Sequence, residues 1–551
     1  MSTFNTLVKE QSKALNHEGA EAFRLSAEME LYTAVVTASL GDKFYETASE
    51  RIERIAGLVG KCDAQFVAKL AVYARQKMNL RSVPLLLVVE LAKTHKGDDL
   101  VSRTVEKVIM RADEIMELLH CYQWRNQDNA VDCYLWSKQD RAFKKTGYKK
   151  KLCNLSHQIQ VGLQKAFNKF DEYQFAKYDR DNLDVKLRDA LFIAHPKAKD
   201  QAQQEIFDKI VNKSLETPYT WETQLSALGQ QQFDTKKDRK QALTKLWEEL
   251  IDSGKLGYMA LLRNLRNMLD NDVSIDKIES VAARLADEKE VLHSKQLPFR
   301  FLSAYKKISG TTPYSHMKWN AHEGIEQTKE KTEEQKQAEE KENHIIEALE
   351  KAVLASAQNI AGFDENTRVL IASDVSSSMY LPISMKSTIN NYDIGLMLSM
   401  ILNNRCKNVV SGIFGDTWKV VNMPSTGILH NVGELYKREG EVGYSTNGYK
   451  VIEYLRENNI VMDKVMMFTD CQMWDSDECK ESIHEEWDKY KQIAPDAKLY
   501  LFDLVGYGNT PLDIVRDDVF LIAGWSDCIF EMLHALEKGS SVIEEIRKIK
   551  L

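Results

Sequence analysis

The sequence predicts two successive architectures, an all-α first part and a doubly wound α/β second part. Three observations carry this reading. Residues 1 to about 310 place apolar residues at three- and four-residue spacing, with no interleaved strand pattern. Beyond about residue 363, apolar runs of strand length alternate with helical stretches. The first of these runs, Val369–Ser373, leads into Asp374, Ser376 and Ser378, an Asp-x-Ser-x-Ser pattern. It stands at the carboxyl end of a strand, where open α/β sheets bind their ligands.

In the first part, helices are expected over Gln65–Ala74, Leu85–Lys93, Arg103–Leu119 and Ile159–Phe170. Short connections carry Gly, Asp or Pro, as in Lys96-Gly97-Asp98-Asp99 and His195-Pro196-Lys197. Many amphipathic helices without strands between them suggest stacked helical hairpins that bury a shared core. Residues 323–342 hold four Lys against eight Glu and almost no large apolar side chain, as in a solvated helix or linker. His344–Ile360 regains helical spacing through Ile345, Ile346, Leu349, Val353 and Leu354. The boundary is placed near residue 363, and strands are expected at 368–373, 409–414, 464–469, 498–505 and 519–523.

The 551 residues suffice for about two to four domains. With 43% apolar and 28% charged residues, the composition is that of an ordinary globular protein. No run reaches the roughly 18–20 apolar residues of a membrane span. The start, Met1-Ser-Thr-Phe-Asn-Thr, lacks a basic and then apolar leader. Eight cysteines lie scattered without a Cys-x-x-Cys pair, so neither a disulfide framework nor a structural zinc site is expected. A cytoplasmic monomer without membrane contact is the expectation.

Two further segments strengthen the Asp-x-Ser-x-Ser pattern. Gly443-Tyr-Ser-Thr446-Asn-Gly448 leads into a helical stretch, and Val465–Thr469 is a second apolar strand ending at Asp470. Asp374, Ser376, Ser378, Thr446 and Asp470 would together offer two carboxylates and three hydroxyls, hard oxygen donors suited to Mg²⁺. The bland alternative is a set of capped strand ends. This arrangement resembles the metal-ion-dependent adhesion site of von Willebrand factor A domains, over roughly residues 365–551. It departs from that pattern at Cys471, where those domains usually carry Gly.

Four stretches of the first part are specific: Arg75–Pro84, Thr220–Gly229, Gly257–Met268 and Leu297–Leu302. With the A-type domain behind them, they resemble the Ro ribonucleoprotein family, bacterial type, whose helical part is the TROVE module. The resemblance implies HEAT-like helical repeats closed into a ring over residues 1–362, followed by the A-type domain over 363–551. It also implies binding of small structured noncoding Y RNA on the ring and of single-stranded RNA ends in its hole. RNA quality control or processing, with an exoribonuclease or other protein joined through the A-type domain, would be the setting.

The most basic stretch, Lys138–Lys151, sets seven cations, Lys144, Lys145, Lys149, Lys150 and Lys151 among them, against Asp140. Phe143 and Tyr148 could stack on bases there; a solvated loop is the even alternative. By the family resemblance, Lys177, Arg180 and His195 would contact RNA, although on its own a histidine before Pro196 reads as a helix cap. Arg263 and Arg266 share a helix face and, with Lys295 and Arg300, could form a basic inner wall. Salt bridges between helices are the competing explanation. The expected function is noncatalytic RNA binding, with a metal-dependent protein adaptor as the alternative. A nuclease is the weakest reading. Two-metal hydrolysis needs clustered carboxylates, and the metal loops offer Asp374 and Asp470 with three hydroxyls.

Overall fold

The protein was analysed as a computed structural model, which describes residues 12–38, 43, 45–126, 155–310, 332–358, 363, 365–383, 387–438, 440–473, 482–525 and 528–551. The basic stretch Lys138–Lys151 lies outside the described residues. Two compact units emerge. One comprises Met1–Arg24 with Tyr219–Lys538, the other Leu25–Pro218 with Gly539–Leu551.

The second unit is helical. Ala64–Gln76 packs against Ser82–Thr94 and Leu100–Val108, and Leu100–Val108 packs against His157–Phe167. The expected single helix Arg103–Leu119 is corrected to two, Leu100–Val108 and Asp113–Arg125. No Pro or Gly breaks it. The Glu114 carboxylate instead accepts the Met110 and Arg111 N–H groups at 2.8 and 3.0 Å, capping a new helix start. Glu114 is fully buried, and Arg75 donates to it at 2.7 Å.

The first unit joins helices to two sheets, and its strands begin earlier than expected. The expectation of a wholly helical first part is corrected at its start, where β1 (Lys13–Leu15) and β2 (Glu21–Arg24) form an antiparallel hairpin. These strands are too short to show a period. Ala22 and Phe23 are both buried, so the alternation that marks a strand is absent.

The later strands are β3 (Arg368–Asp374), β4 (Asn408–Phe414), β5 (Trp418–Val420), β6 (Lys464–Thr469), β7 (Lys498–Asp503), β8 (Asn509–Thr510) and β9 (Val519–Ala523). β8 extends the hairpin by pairing with β2. The other six form one sheet in the order β5-β4-β3-β6-β7-β9, with every pair parallel except β4 with β5. The chain runs from β3 outward to β4 and returns to β6 on the other side of β3. That makes β3/β6 the switch point where such sheets hold ligands. The strand expected at 498–505 stops at Asp503, because the Val505 and Gly506 N–H groups turn back onto Asp503 Oδ1 at 2.9 and 2.7 Å.

Two helices also belong to this unit's core. Pro298–Ile308 sends Lys306 into a buried ion pair with Asp393. Glu350 of Glu333–Ser356 accepts the Leu429 and His430 N–H groups at 3.2 and 2.8 Å. That glutamate sits at the start of the helix Ile428–Tyr436, where the helix dipole favours negative charge. The helix Glu333–Ser356 includes the later part of the charged run, with its acidic side chains largely in solvent. Among the described residues no helix is long and apolar enough to cross a membrane.

Candidate metal centre and basic surfaces

β3 and β6 deliver their last residues to one place. Asp374 and Asp470 are 2% and 0% exposed. Asp374 Oδ1 accepts the Ser376 N–H at 2.9 Å, and its Oδ2 accepts the Thr469 hydroxyl at 2.6 Å. The Ser376 and Ser378 hydroxyls lie 3.3 Å apart. Asp470 Oδ1 accepts the Gln472 N–H at 3.0 Å, whereas its Oδ2 is buried without a hydrogen bond.

The Thr446 loop closes the third side. Ser377 N–H donates to Tyr444 O at 3.0 Å, and Thr446 is buried. A Cβ at Gly448 would collide with the Met473 sulfur, so the loop lies directly on the segment after Asp470. Asp416 holds this loop by accepting the Ser445 N–H at 2.7 Å. All five residues expected at a metal site therefore lie on three neighbouring, interlocked loops. Thr469 and Gln472 are supporting residues that sequence reasoning missed, since neither stands in a recognisable pattern.

Burial, and then the neighbouring charge of Asp470, push the Asp374 carboxyl up. Burial also pushes up Asp470, and the nearby Ser378 hydroxyl partly offsets this. Two buried like charges with an orphaned oxygen fit a cation, which would remove the burial cost of both. Among the described residues no group of three or more His, Cys, Asp or Glu side chains is placed to hold a metal. The donors here are two carboxylates and three hydroxyls, a set suited to a hard ion. Cys471 adopts φ +62°, the left-handed conformation that Gly takes without strain.

The expected RNA contacts divide. Arg266 is paired with Asp270 at 2.9 Å and Glu342 at 3.2 Å, so the salt-bridge explanation holds for it. Arg263 is exposed on the same helix, Tyr258–Asp270. Arg300 lies over Phe299 at 5.1 Å from its ring centre. Partial desolvation and the like charge of Arg263 push the Arg300 guanidinium pKa down. Lys295 is a left-handed cap at φ +50°.

In the other unit, Lys177 follows the helix Glu172–Ala176, and Arg180 is exposed beyond it. His195 caps the helix Leu187–Ala194 at φ +49°, donating its backbone N–H to Leu191 O. The capping role is therefore real, and the residue stays exposed. No hydrogen bond or ion pair among the described residues joins Lys177, Arg180 and His195. One turn before His195, Phe192 is 46% exposed with the Arg188 guanidinium 5.5 Å from its ring centre. This aromatic–cation pair was missed because its helix reads as simply amphipathic.

Residues 213–363 match the TROVE domain family. The chain is 24% identical over 361 residues to telomerase protein component 1 of Rattus norvegicus, across 51% of this chain and 13% of the relative. The Mus musculus protein of the same name gives 24% over 362 residues, with the same coverage. The match thus spans about an eighth of these relatives' length. The crystal structure of the Deinococcus radiodurans Ro protein superposes with a TM-score of 0.57 at 17% identity, covering 93% of this chain and all of that one. Residues 213–363 thus resemble a TROVE domain, and the helices followed by an A-type sheet share the fold of that Ro protein structure.

Proposed function

We propose that the chain is a noncatalytic RNA-binding component of a ribonucleoprotein. The observation that carries this reading is the Arg263–Arg300 pair. Two guanidiniums whose charges disfavour each other, with no carboxylate paired to either among the described residues, are a place for phosphate. The exposed Phe192–Arg188 pair adds a surface on which an unpaired base can stack. Lys177, Arg180 and His195 belong to the same proposal. So do ring closure of the helices, a structured Y-like RNA, single-stranded ends and a role in RNA quality control or processing. A cytoplasmic monomer is the proposed form.

The proposed metal is Mg²⁺ at Asp374, Ser376, Ser378, Thr446 and Asp470. When bound, it would supply a coordination position for a partner's carboxylate rather than a hydrolytic centre, because two carboxylates are too few for a two-metal site. The buried, unpartnered Asp470 Oδ2 favours this protein-docking reading as a second function of the chain. Tyr444, exposed on the loop that carries Thr446, would meet such a partner.

The test is filter binding of a structured RNA and a single strand over a salt series. With about four phosphates neutralised, affinity falls at a log–log slope of roughly −3 to −4. Arg263→Ala with Arg300→Ala should lower the slope by about 1.4 for the single strand. Phe192→Ala should weaken binding while leaving the slope unchanged. Asp374→Ala should abolish Mg²⁺ binding and leave RNA binding intact. Salt-independent affinity, or RNA binding lost with the metal, refutes the assignment.

A further inference from the structure

We propose that Asp416, on the turn between β4 and β5, is a positioning residue of the metal centre that acts through Thr446. This rests on the metal reading above. Asp416 is outside the expected donor set, and its side chain is exposed. Its turn, Gly415–Thr417, follows β4, the strand that runs beside β3 with Phe414 opposite Asp374. Val375 N–H donates to Phe414 O at 3.0 Å, so the turn starts at the height of the first metal loop.

The turn grips the Thr446 loop on both sides of its threonine. Before Thr446, the Ser445 N–H donates to Asp416 Oδ1 at 2.7 Å. After it, the Asn447 N–H donates to Gly415 O at 3.0 Å, and Asn447 Nδ2 donates to Asp416 O at 3.0 Å. Further back, the Thr417 N–H donates to Val442 O at 3.1 Å. The two segments touch backbone to backbone. A Cβ at Gly415 would collide with Gly443 O, and a Cβ at Gly443, where φ is +75°, would overlap the Asp416 carboxylate. That carboxylate fills the space a side chain at Gly443 would take, which gives a reason for glycine at the start of this loop.

Thr446 offers a neutral hydroxyl, a weaker donor for a hard cation than a carboxylate. Such a ligand contributes when its place is fixed before the ion arrives, and outer residues that fix it affect metal affinity almost as the ligands do. Of the bonds just named, the one from Ser445 alone ends on a side chain of the turn. A substitution at Asp416 therefore loosens Thr446 on one side and leaves the backbone bonds of Gly415 and Thr417 in place.

Mn²⁺ titration of the full chain by calorimetry tests this, with wild type, Asp416→Ala, Asp416→Asn, Thr446→Ala, the Asp416→Ala/Thr446→Ala double variant and Asp374→Ala. Asp416→Ala should bind Mn²⁺ roughly tenfold more weakly, the scale of a lost supporting residue at a metal site. Asp416→Asn keeps an acceptor for the Ser445 N–H and should lose only about threefold, as a neutral acceptor replaces a charged one. In the Thr446→Ala background, Asp416→Ala should cost nothing further, because a positioning residue has no effect once the residue it positions is gone. Amide exchange at residues 442–448 without metal should be faster in Asp416→Ala than in wild type. Equal affinity of wild type and Asp416→Ala, or losses that simply add in the double variant, would overturn the role of Asp416 and leave the metal centre standing. Wild type as inert to Mn²⁺ as Asp374→Ala would overturn both.

Discussion

Cys471 follows the candidate metal ligand Asp470 directly and holds a left-handed backbone. Its left-handed backbone costs a non-glycine residue about 1 kcal/mol, while its buried thiol contributes packing of similar size. Burial and the charges of Asp503, Asp470 and Asp374 push that thiol well up, so it is a poor nucleophile. Cys471→Gly is therefore expected to change stability by less than about 1 kcal/mol in urea unfolding. Cys471→Val should cost more than about 2 kcal/mol, because a β-branched residue tolerates positive φ worst. Equal effects of the two would show that backbone strain is not what matters at this position.

Close approach decides matters between elements. A Cβ at Gly162 would run into Val105 and come within 2.9 Å of Ser102 O, so His157–Phe167 and Leu100–Val108 touch through the missing side chain. Gly162→Ala should destabilise by about 1–3 kcal/mol despite the better helix propensity of alanine, as read by urea unfolding. At the entry to the sheet, Asp463 accepts from the Arg368 backbone N–H at 2.7 Å and from its guanidinium at 2.8 Å, which joins the starts of β3 and β6. The Arg368 hydrogen bond holds the Asp463 carboxyl below its ordinary value, even against burial. Its contribution is then present above the unfolded pKa and disappears as pH falls through the lower folded one. The pair is partly exposed, so Asp463→Asn should cost at most about 1 kcal/mol at neutral pH. Thermal melting across pH should show that difference vanish once the pH passes below the lowered folded value.

At the scale of the whole molecule, the unit built from Tyr219–Lys538 and the hairpin depends on the buried Lys306–Asp393 pair. Burial holds Asp393 up even with Lys306 beside it, and the Lys306 ammonium also lies 4.6 Å from the Tyr436 ring centre. Lys306→Met leaves that carboxylate buried without its cation and should cost about 3–5 kcal/mol. Calorimetry should show the loss in one transition shared by the helices and the sheet of this unit. A mutant in which the sheet melts unchanged would show that helices and sheet are energetically separate.

The sequence by itself determined the largely helical class of the first part, the five parallel strands of the second and the Asp-x-Ser-x-Ser pattern at the end of the first of them. Those features are local: Val369–Ser373 is a buried run, and Asp374, Ser376 and Ser378 follow it directly. The RNA-facing residues were less legible, because identical charges can end in salt bridges or in solvent. Arg266 has Asp270 and Glu342 within reach, and Arg263, on the same helix, has Arg300 instead. Tertiary structure alone decided which arginine meets a carboxylate. It alone brought the turn of Asn16–Ala20 to Gln472 and Met473, 455 and 457 positions along the chain from their partners. A contact of that separation leaves no period or spacing in the sequence. Its cause is the packing of a short, two-sided strand, Glu21–Arg24, against β8.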